Sequence, residues 1–346
     1  MARINLLELN LADCQQFVAG LGQQRFRARQ LLNWIYKNKV FDFAQMLNLS
    51  KEFRQVLAKE AKIALPKLTA KQVSKLDGTT KYLFELEDGE KIETVYMPHK
   101  DGQDIKRHSL CVSSQVGCPI GCTFCATGQA GFTRNMETAE IIGQILAVEN
   151  EENIKITNIV FMGMGEPLLN YANVLRAIRI ITDKECLDIS ARKITVSTSG
   201  IVPQIRKLAD ENLPIVLAVS LHTPWDEKRN KIVPINKKYS ITDIINSCKY
   251  FVDKTNRKVT FEYTLIKGVN DSPEDASKLG DLLQGLLCNV NLIPVNAVKG
   301  TDYLRPSKKD IYGFINILHK KGIESVIRIE KGSDIDAACG QLRGKE

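Results

Sequence analysis

Three cysteines stand within eight residues, in Gly117-Cys118-Pro-Ile-Gly-Cys122-Thr-Phe-Cys125, a C-x3-C-x2-C spacing. Thiolates on a short Gly/Pro-containing loop can converge on one iron–sulfur cube. A complete [4Fe–4S] site uses four of them. With no fourth cysteine nearby, one iron stays open to an outside ligand. A zinc site would want four N/S ligands, commonly as two separated pairs. No second pair exists here and His108 is poorly placed, so the motif favours a cluster.

The remaining cysteines are Cys14, Cys111, Cys186, Cys248, Cys288 and Cys339. An odd total of nine in a long chain argues against a disulfide framework. Cys14, Cys186, Cys248 and Cys288 read as small core hydrophobes. Cys111 lies seven residues before the cluster motif. Cys339 lies in Asp334-Ile-Asp-Ala-Ala-Cys339-Gly-Gln-Leu342, a small-residue segment expected to be flexible enough to reach a mouth and to carry a nucleophilic thiolate.

Further polar positions fall at the ends of apolar runs. Phe161-Met-Gly163-Met-Gly165-Glu166-Pro167 joins two glycines, which allow close backbone approach, to a carboxylate able to hold an ammonium. Thr195-Val-Ser197-Thr-Ser-Gly200, Ser220-Leu221-His222 and Asn296 offer hydroxyls, an imidazole and an amide suited to ribose and an adenine edge. Taken singly, each is as well explained as a satisfied polar strand end.

The elements that must position these residues follow an alternating pattern. Strand-like runs cover 109–114, 156–162, 193–198, 214–221, 258–266 and 290–295. Amphipathic helical runs cover 137–150, 170–182, 201–211, 240–254, 273–286 and 308–322. Six βα units predict an α/β fold with a parallel sheet and right-handed crossovers. Six is too few for a closed eight-fold barrel and fits a partial (β/α)6 barrel, with ligands at the carboxyl ends of the strands. Residues 1–65 predict a small helical domain, with Leu31, Trp34 and Ile35 on one face and Arg25, Arg27, Arg29, Lys37 and Lys39 around the rest. That basic face suits a phosphate backbone or plain solvent equally well. Residues 66–108 predict a strand and hairpin linker, turning at Asp88-Gly89, with a polar loop from His99 to His108. The core is expected over 109–330 and a C-terminal loop over 331–346.

Composition bounds the rest. The chain has 346 residues, 44% hydrophobic and 25% charged, which is ordinary for a globular protein. No apolar run approaches the ~20 residues of a membrane span, and the N-terminus lacks a secretory h-region, so the cytoplasm is the expected compartment. A net charge of +8 is compatible with a polyanionic partner.

Together these motifs resemble the radical S-adenosylmethionine (SAM) superfamily and, within it, the RlmN-type dual-specificity RNA methyltransferases, relatives of the Cfr resistance enzymes. The resemblance runs over nearly the whole chain, through Ile92-Glu93-Thr-Val-Tyr96, Cys111-Val-Ser-Ser-Gln-Val-Gly117, the cysteine motif, the Gly-Met-Gly-Glu-Pro run, Ser197-Thr-Ser-Gly200, Ser220-Leu-His222, Val233-Pro-Ile-Asn-Lys-Lys238 and the Cys339 segment. It implies a partial barrel, one [4Fe–4S] cluster on Cys118, Cys122 and Cys125, and two molecules of SAM per turnover. Gly165, Glu166, Ser197, Ser220, Leu221, His222 and Asn296 would contact SAM. Cys339 would carry the methyl group as S-methylcysteine. Glu93 or Cys111 would take a proton from carbon 2 of adenine, and Cys111 would resolve a protein–RNA adduct through a transient disulfide. The implied substrates are an adenine in the peptidyl-transferase region of 23S rRNA and adenine 37 of tRNAs. A reductant such as flavodoxin, no membrane and a monomeric state complete the expectation. The alternatives are a Cfr-like carbon-8 methyltransferase, disfavoured by Pro167 and the Ser-Thr-Ser-Gly run, and a metal-stabilised RNA-binding protein without catalysis, which gives Cys111 and Cys339 no purpose.

Overall fold

The computed structural model describes residues 3–102 and 104–344. The outermost residues of the expected first and last segments, 1–2 and 345–346, lie outside the described residues. The centre of the molecule is one sheet of ten strands: β1 Lys67–Val73, β2 Thr80–Glu85, β3 Lys91–Asp101, β4 Asp104–Cys111, β5 Asn158–Phe161, β6 Ile194–Thr198, β7 Val216–Ser220, β8 Val259–Leu265, β9 Cys288–Pro294 and β10 Ser325–Ile327. They lie side by side in chain order, from β10 at one edge to β1 at the other. From β4 to β10 every pairing is parallel; β1 to β4 is an antiparallel meander.

The parallel part follows the βα rhythm. Helices Thr138–Glu152, Tyr171–Thr182, Val202–Asp210, Ile241–Thr255, Pro273–Leu283 and Lys308–Lys320 alternate with the strands. Strands covered by helices on one side and packed on the other read as continuous apolar runs. Accordingly, Val196, Leu217, Val219, Phe261, Tyr263 and Leu292 are all fully buried. Start signals agree with the helix positions: Ser240 and Ser272 each close a capping box with Asp243 and Asp275.

Two expectations need correction. His99 to His108 is not a loop but a paired ribbon, with Met97 opposite Ser109 and His99 opposite Arg107. Apart from Ile105 its described side chains between His99 and His108 are polar, so it carries no apolar alternation and is held by backbone pairing. A seventh parallel strand, β10, follows the last helix. With only three residues, Ser325–Ile327, it is too short to show a period.

Residues 4–63 form a compact module. Ile4–Asn5 pairs in parallel with Ala61–Lys62 and so ties its two ends together. Helices Leu11–Gly20, Arg27–Leu32 and Lys51–Glu60 bury Leu7, Cys14, Val18, Leu31, Ile35, Phe53 and Leu57. Part of the basic face is used internally: Arg29 pairs with Glu185 at 3.3 Å, and Lys39 donates to the carbonyls of Glu149 (3.0 Å) and Ile154 (2.8 Å) at the end of a barrel helix.

Candidate active site

The cysteine loop leaves β4 and is gripped at its base. Gln115–Gly117 pairs antiparallel with Phe132–Asn135, and the Cys118 N–H donates to Gly131 O at 2.7 Å. Gly117 has φ +74°, and a Cβ there would stand 2.1 Å from the Gly131 carbonyl, so only glycine fits. Cys118, Cys122 and Cys125 are partly exposed and border one cavity at the carboxyl ends of β5 to β9. Burial, then Glu166 and Cys125, push Cys118 up to about 12; burial, then Cys125 and Cys118, push Cys122 well above its ordinary range.

Glu166 faces the same cavity and is 3% exposed. One carboxylate oxygen accepts from the Ser199 N–H and hydroxyl, each at 2.7 Å, and the other from the Leu168 N–H at 3.0 Å. Burial raises its pKa against those bonds. Gly165 has φ +103°, and Gln115 occupies the space its side chain would need, accepting the Glu166 N–H at 2.7 Å. Ser197, Ser220, His222 and Asn296 also border this cavity. His222 sits at φ +64°, a strained conformation fixed from two sides: its Nδ1 accepts from Thr264 N (3.0 Å), and its carbonyl accepts from Asn270 Nδ2 (2.6 Å). Burial, then Arg229, push its pKa down to about 3. Leu221 is fully buried and lies in the wall rather than on the lining.

Cys111 and Cys339 share a second cavity of about 770 Å³, and Cys339 borders both. The segment carrying Cys339 is not the flexible tail its small residues suggest; it is clamped over the mouth. Asn296 Nδ2 donates to Cys339 O at 3.0 Å, Ala126 N to Gly340 O at 2.7 Å, Thr127 Oγ1 to Leu342 O at 2.7 Å and Gln341 Nε2 to Ala297 O at 3.0 Å. Cys111 is nearly buried, and burial followed by Cys339 pushes its thiol up to about 12. Cys339 is exposed to solvent yet deep in the mouth, where desolvation raises its pKa and Arg328 opposes the rise.

Glu93 is on the same strand as cavity-lining Val95 and Met97, but its carboxylate is taken up elsewhere. It pairs with Lys81 at 3.2 Å and accepts the N–H groups of Arg343 and Gly344. It borders a separate cavity and not the one shared by Cys111 and Cys339.

Sequence reasoning missed four residues here: Gln115, Ser199, Arg229 and Arg328. Ser199 was inside a quoted motif, and its hydroxyl gave no sign of which neighbour it would serve. Arg229 is fully buried and donates to the carbonyls of Ser199 (2.7 Å), Ser220 (2.8 Å) and Leu221 (3.0 Å) and to Asn236 Oδ1 (2.9 Å). Arg328, just past β10, borders both cavities and pairs with Glu262 at 3.4 Å.

With this geometry in place, comparison with known proteins is decisive. The radical SAM superfamily model matches residues 112–279, and the ribosomal RNA large subunit methyltransferase N-terminal domain model matches 4–63. A Thermotoga neapolitana protein named "Probable dual-specificity RNA methyltransferase RlmN" is 52% identical over 342 residues, 99% of this chain and 98% of that protein. A protein of the same printed name from Alkaliphilus oremlandii is 49% identical, covering 100% of this chain and 99% of its own. The chain belongs to the RlmN family of radical SAM methyltransferases. A crystal structure of a radical SAM methyltransferase from Sphaerobacter thermophilus superposes with a TM-score of 0.93 at 44% identity, covering 99% of this chain and 100% of that one.

Membership of the radical SAM superfamily implies a [4Fe–4S] cluster and SAM. The donor set fits. Three partly open thiols crowd one mouth, where burial and neighbouring charges oppose the ionised forms of Cys118 and Cys122. Thiolates in that position need a cationic partner, which an iron–sulfur cluster supplies. Among the described residues, no three His, Cys, Asp or Glu side chains close on one point as a single ion would require. A cluster offers each thiolate its own iron and does not ask for that. No described helix is long and apolar enough to cross a membrane.

Proposed function

We propose that this protein methylates carbon 2 of adenine in the peptidyl-transferase region of 23S rRNA and of adenine 37 in tRNAs. The observation that carries the reading is the pair of thiols. Cys339 borders the cavity of the three clustered cysteines on one side and shares a cavity with Cys111 on the other. The dual-specificity name of the relatives supports the two RNA classes.

In this reading Cys118, Cys122 and Cys125 hold the cluster. Gly165, Glu166, Ser197, Ser220, His222 and Asn296, with the Leu221 backbone, hold SAM. When bound, these groups supply a transferable methyl group and a radical able to remove a hydrogen atom from it. With SAM held there, the Cys339 thiolate would be the acceptor of its methyl group, gaining a sulfur–carbon bond as the sulfonium loses one. The S-methyl carbon, once a hydrogen has been removed, bonds to carbon 2 of adenine. The adduct gives up its carbon-2 proton to a base, and its unpaired electron would return to the cluster. Glu93 and Cys111 are the two candidates: Cys111 faces the cavity of Cys339 but burial keeps its thiol protonated, and the Glu93 carboxylate accepts from the C-terminal segment. Cys111, its thiol proton given up, then attacks the sulfur of Cys339; the released carbon takes up a proton as methyladenine, an external thiol reductant reopens the disulfide, and a one-electron donor such as flavodoxin would serve the cluster.

Nucleoside mass analysis of rRNA and tRNA from cells with and without this protein tests the reading. Loss of 2-methyladenosine from both RNAs is expected; loss of an 8-methyl product would mean carbon-8 chemistry instead. Cys111→Ala sharpens the test. Addition requires Cys339 alone, so protein should accumulate crosslinked to RNA as a slow, ribonuclease-sensitive band on a denaturing gel. Full activity without that band would make Cys111 a core residue.

A further inference from the structure

The mouth contains a buried carboxylate that the reading above leaves idle. Glu262 is on β8, 4% exposed, and borders the cavity of the clustered cysteines. Parallel pairing sets Ser220, Glu262 and Asn291 level on three adjacent strands. Oε1 of Glu262 is engaged, by Asn291 Nδ2 at 2.9 Å and Arg328 Nη1 at 3.4 Å. Oε2 is buried and has no hydrogen-bond partner among the described residues. An orphaned buried carboxylate oxygen carries a full desolvation penalty and survives where a donor arrives to meet it.

Position selects the donor. Glu166 stands at the end of β5, three strand steps from β8, or about 14 Å at about 4.8 Å per step. If the amino-acid end of SAM lies by Glu166 and the cysteines, Glu262 meets the adenosine end. Ser220 lies level with Glu262 on the adjoining strand. A hydroxyl beside an acceptor-only carboxylate matches a vicinal diol, whose oxygens both give and take hydrogen bonds; an amine only gives them.

We propose that Glu262 is a cofactor-binding residue whose free carboxylate oxygen accepts a hydrogen bond from a ribose hydroxyl of SAM, while Arg328 and Asn291 hold its other oxygen. The proposal rests on the reading of this mouth as the SAM site. It makes Glu262–Arg328 a link between the adenosine subsite and the cavity of the two reacting thiols, because Arg328 borders both.

The test is anaerobic equilibrium dialysis of iron-loaded protein with SAM and with its 2′-deoxy and 3′-deoxy forms, alongside the change each causes in the cluster's electron paramagnetic resonance spectrum. A hydrogen bond to a charged group corresponds to roughly tenfold or more in affinity. Glu262→Ala should bind SAM about tenfold more weakly than wild type. The analogue missing the contacted hydroxyl should bind wild type and variant alike. Glu262→Gln, which keeps the volume and the iron should the alanine variant lose it, should show the same pattern with a smaller loss. Unchanged SAM affinity in both variants overturns the proposal. So does an equal loss for SAM and both deoxy analogues, which would mean that Glu262 only supports Arg328. Failure of iron-loaded wild type to bind SAM, with no spectral change, would sink the site assignment itself and the proposal with it.

Discussion

Two arginines lie close to the mouth and are buried in opposite ways. Arg229, between β7 and the next long helix, is fully enclosed and meets only fixed acceptors: three backbone carbonyls and Asn236. Asn236 is itself held by Asp226 at 2.8 Å. Burial pulls the Arg229 pKa down to about 10, and it stays charged near neutrality. Arg328, at the β10 edge, has a side chain 29% exposed. Its nearest influences are the thiols of Cys339 and Cys111 and the carboxylate of Glu262, all groups able to change protonation. A buried charge with every donor fixed builds a wall; one facing titratable partners tunes chemistry. The first holds the ends of β6 and β7, where Ser197, Ser199 and Ser220 sit. The second stands between the two cavities that meet at Cys339.

The sharpest way to break the comparison is to remove the wall. Arg229→Met leaves three carbonyls and Asn236 without their donor, for a cost of about 3–5 kcal/mol. Urea unfolding should show the midpoint falling accordingly, with iron loading lost as a consequence. A drop below about 1 kcal/mol would show that water or neighbouring N–H groups replace the guanidinium.

Arg328→Met should separate chemistry from stability. Glu262 is able to protonate once its cation is gone, so the fold should lose only about 1–2 kcal/mol. Without Arg328 the Cys339 thiolate loses its stabilising charge. Alkylation of Cys339 by iodoacetamide at pH 8, followed by peptide mass analysis, should slow several-fold. An unchanged rate would assign Arg328 to the wall class alongside Arg229.

The cysteines repeat the contrast more mildly. Cys14 is buried in the helical module, and burial pushes its thiol up to about 12, as it does for Cys111. Cys14 lines neither of the two cavities that meet at Cys339. Cys14→Ala should therefore cost about 1 kcal/mol through lost packing, read as a small shift in the urea midpoint. It should give no RNA crosslink, whereas Cys111→Ala should give one.

The difference between these regions also marks what the chain discloses before folding. The βα rhythm, the cysteine loop and the Gly-Met-Gly-Glu run were legible because period and spacing are local properties. Six helices and five of the six strands fall where the pattern put them; the first strand runs Asp104–Cys111 and stops short of the expected 114. The polar ribbon from His99 to His108 was not, because backbone pairing leaves no apolar period. Nor were Arg229 and Arg328: an arginine in a mixed segment reads as surface, and only the fold shows it enclosed. Ser199 and Gln115 were hidden for another reason. Their partner, Glu166, is tens of residues away in the chain and reaches them through the sheet. Glu93 was legible as a carboxylate in a motif, but its capture by Arg343 and Gly344 joins positions far apart in sequence.

A pH-dependent effect concerns His222, the residue between wall and cavity. Its ring packs edge-on against Phe124, 4.8 Å between centroids, and its Nδ1 must be unprotonated to accept the Thr264 N–H. Burial and the charge of Arg229 hold its pKa near 3 in the fold. In the unfolded chain a histidine titrates near 6.5. Below that value the unfolded state binds a proton that the native state refuses, so acid favours unfolding. The contribution is complete above about pH 6.5 and is lost progressively as pH falls toward 3. One proton corresponds to at most about 1.4 kcal/mol per pH unit. His222→Gln removes this titration and keeps an acceptor for Thr264. Urea midpoints measured between pH 8 and 5 should therefore fall more steeply for wild type than for the variant. Arg229 sharpens the point, since its fixed charge is one of the two reasons the ring stays neutral. Parallel slopes in the two proteins would mean that His222 is charged in the fold. The Thr264 contact would then have to be built on a different atom.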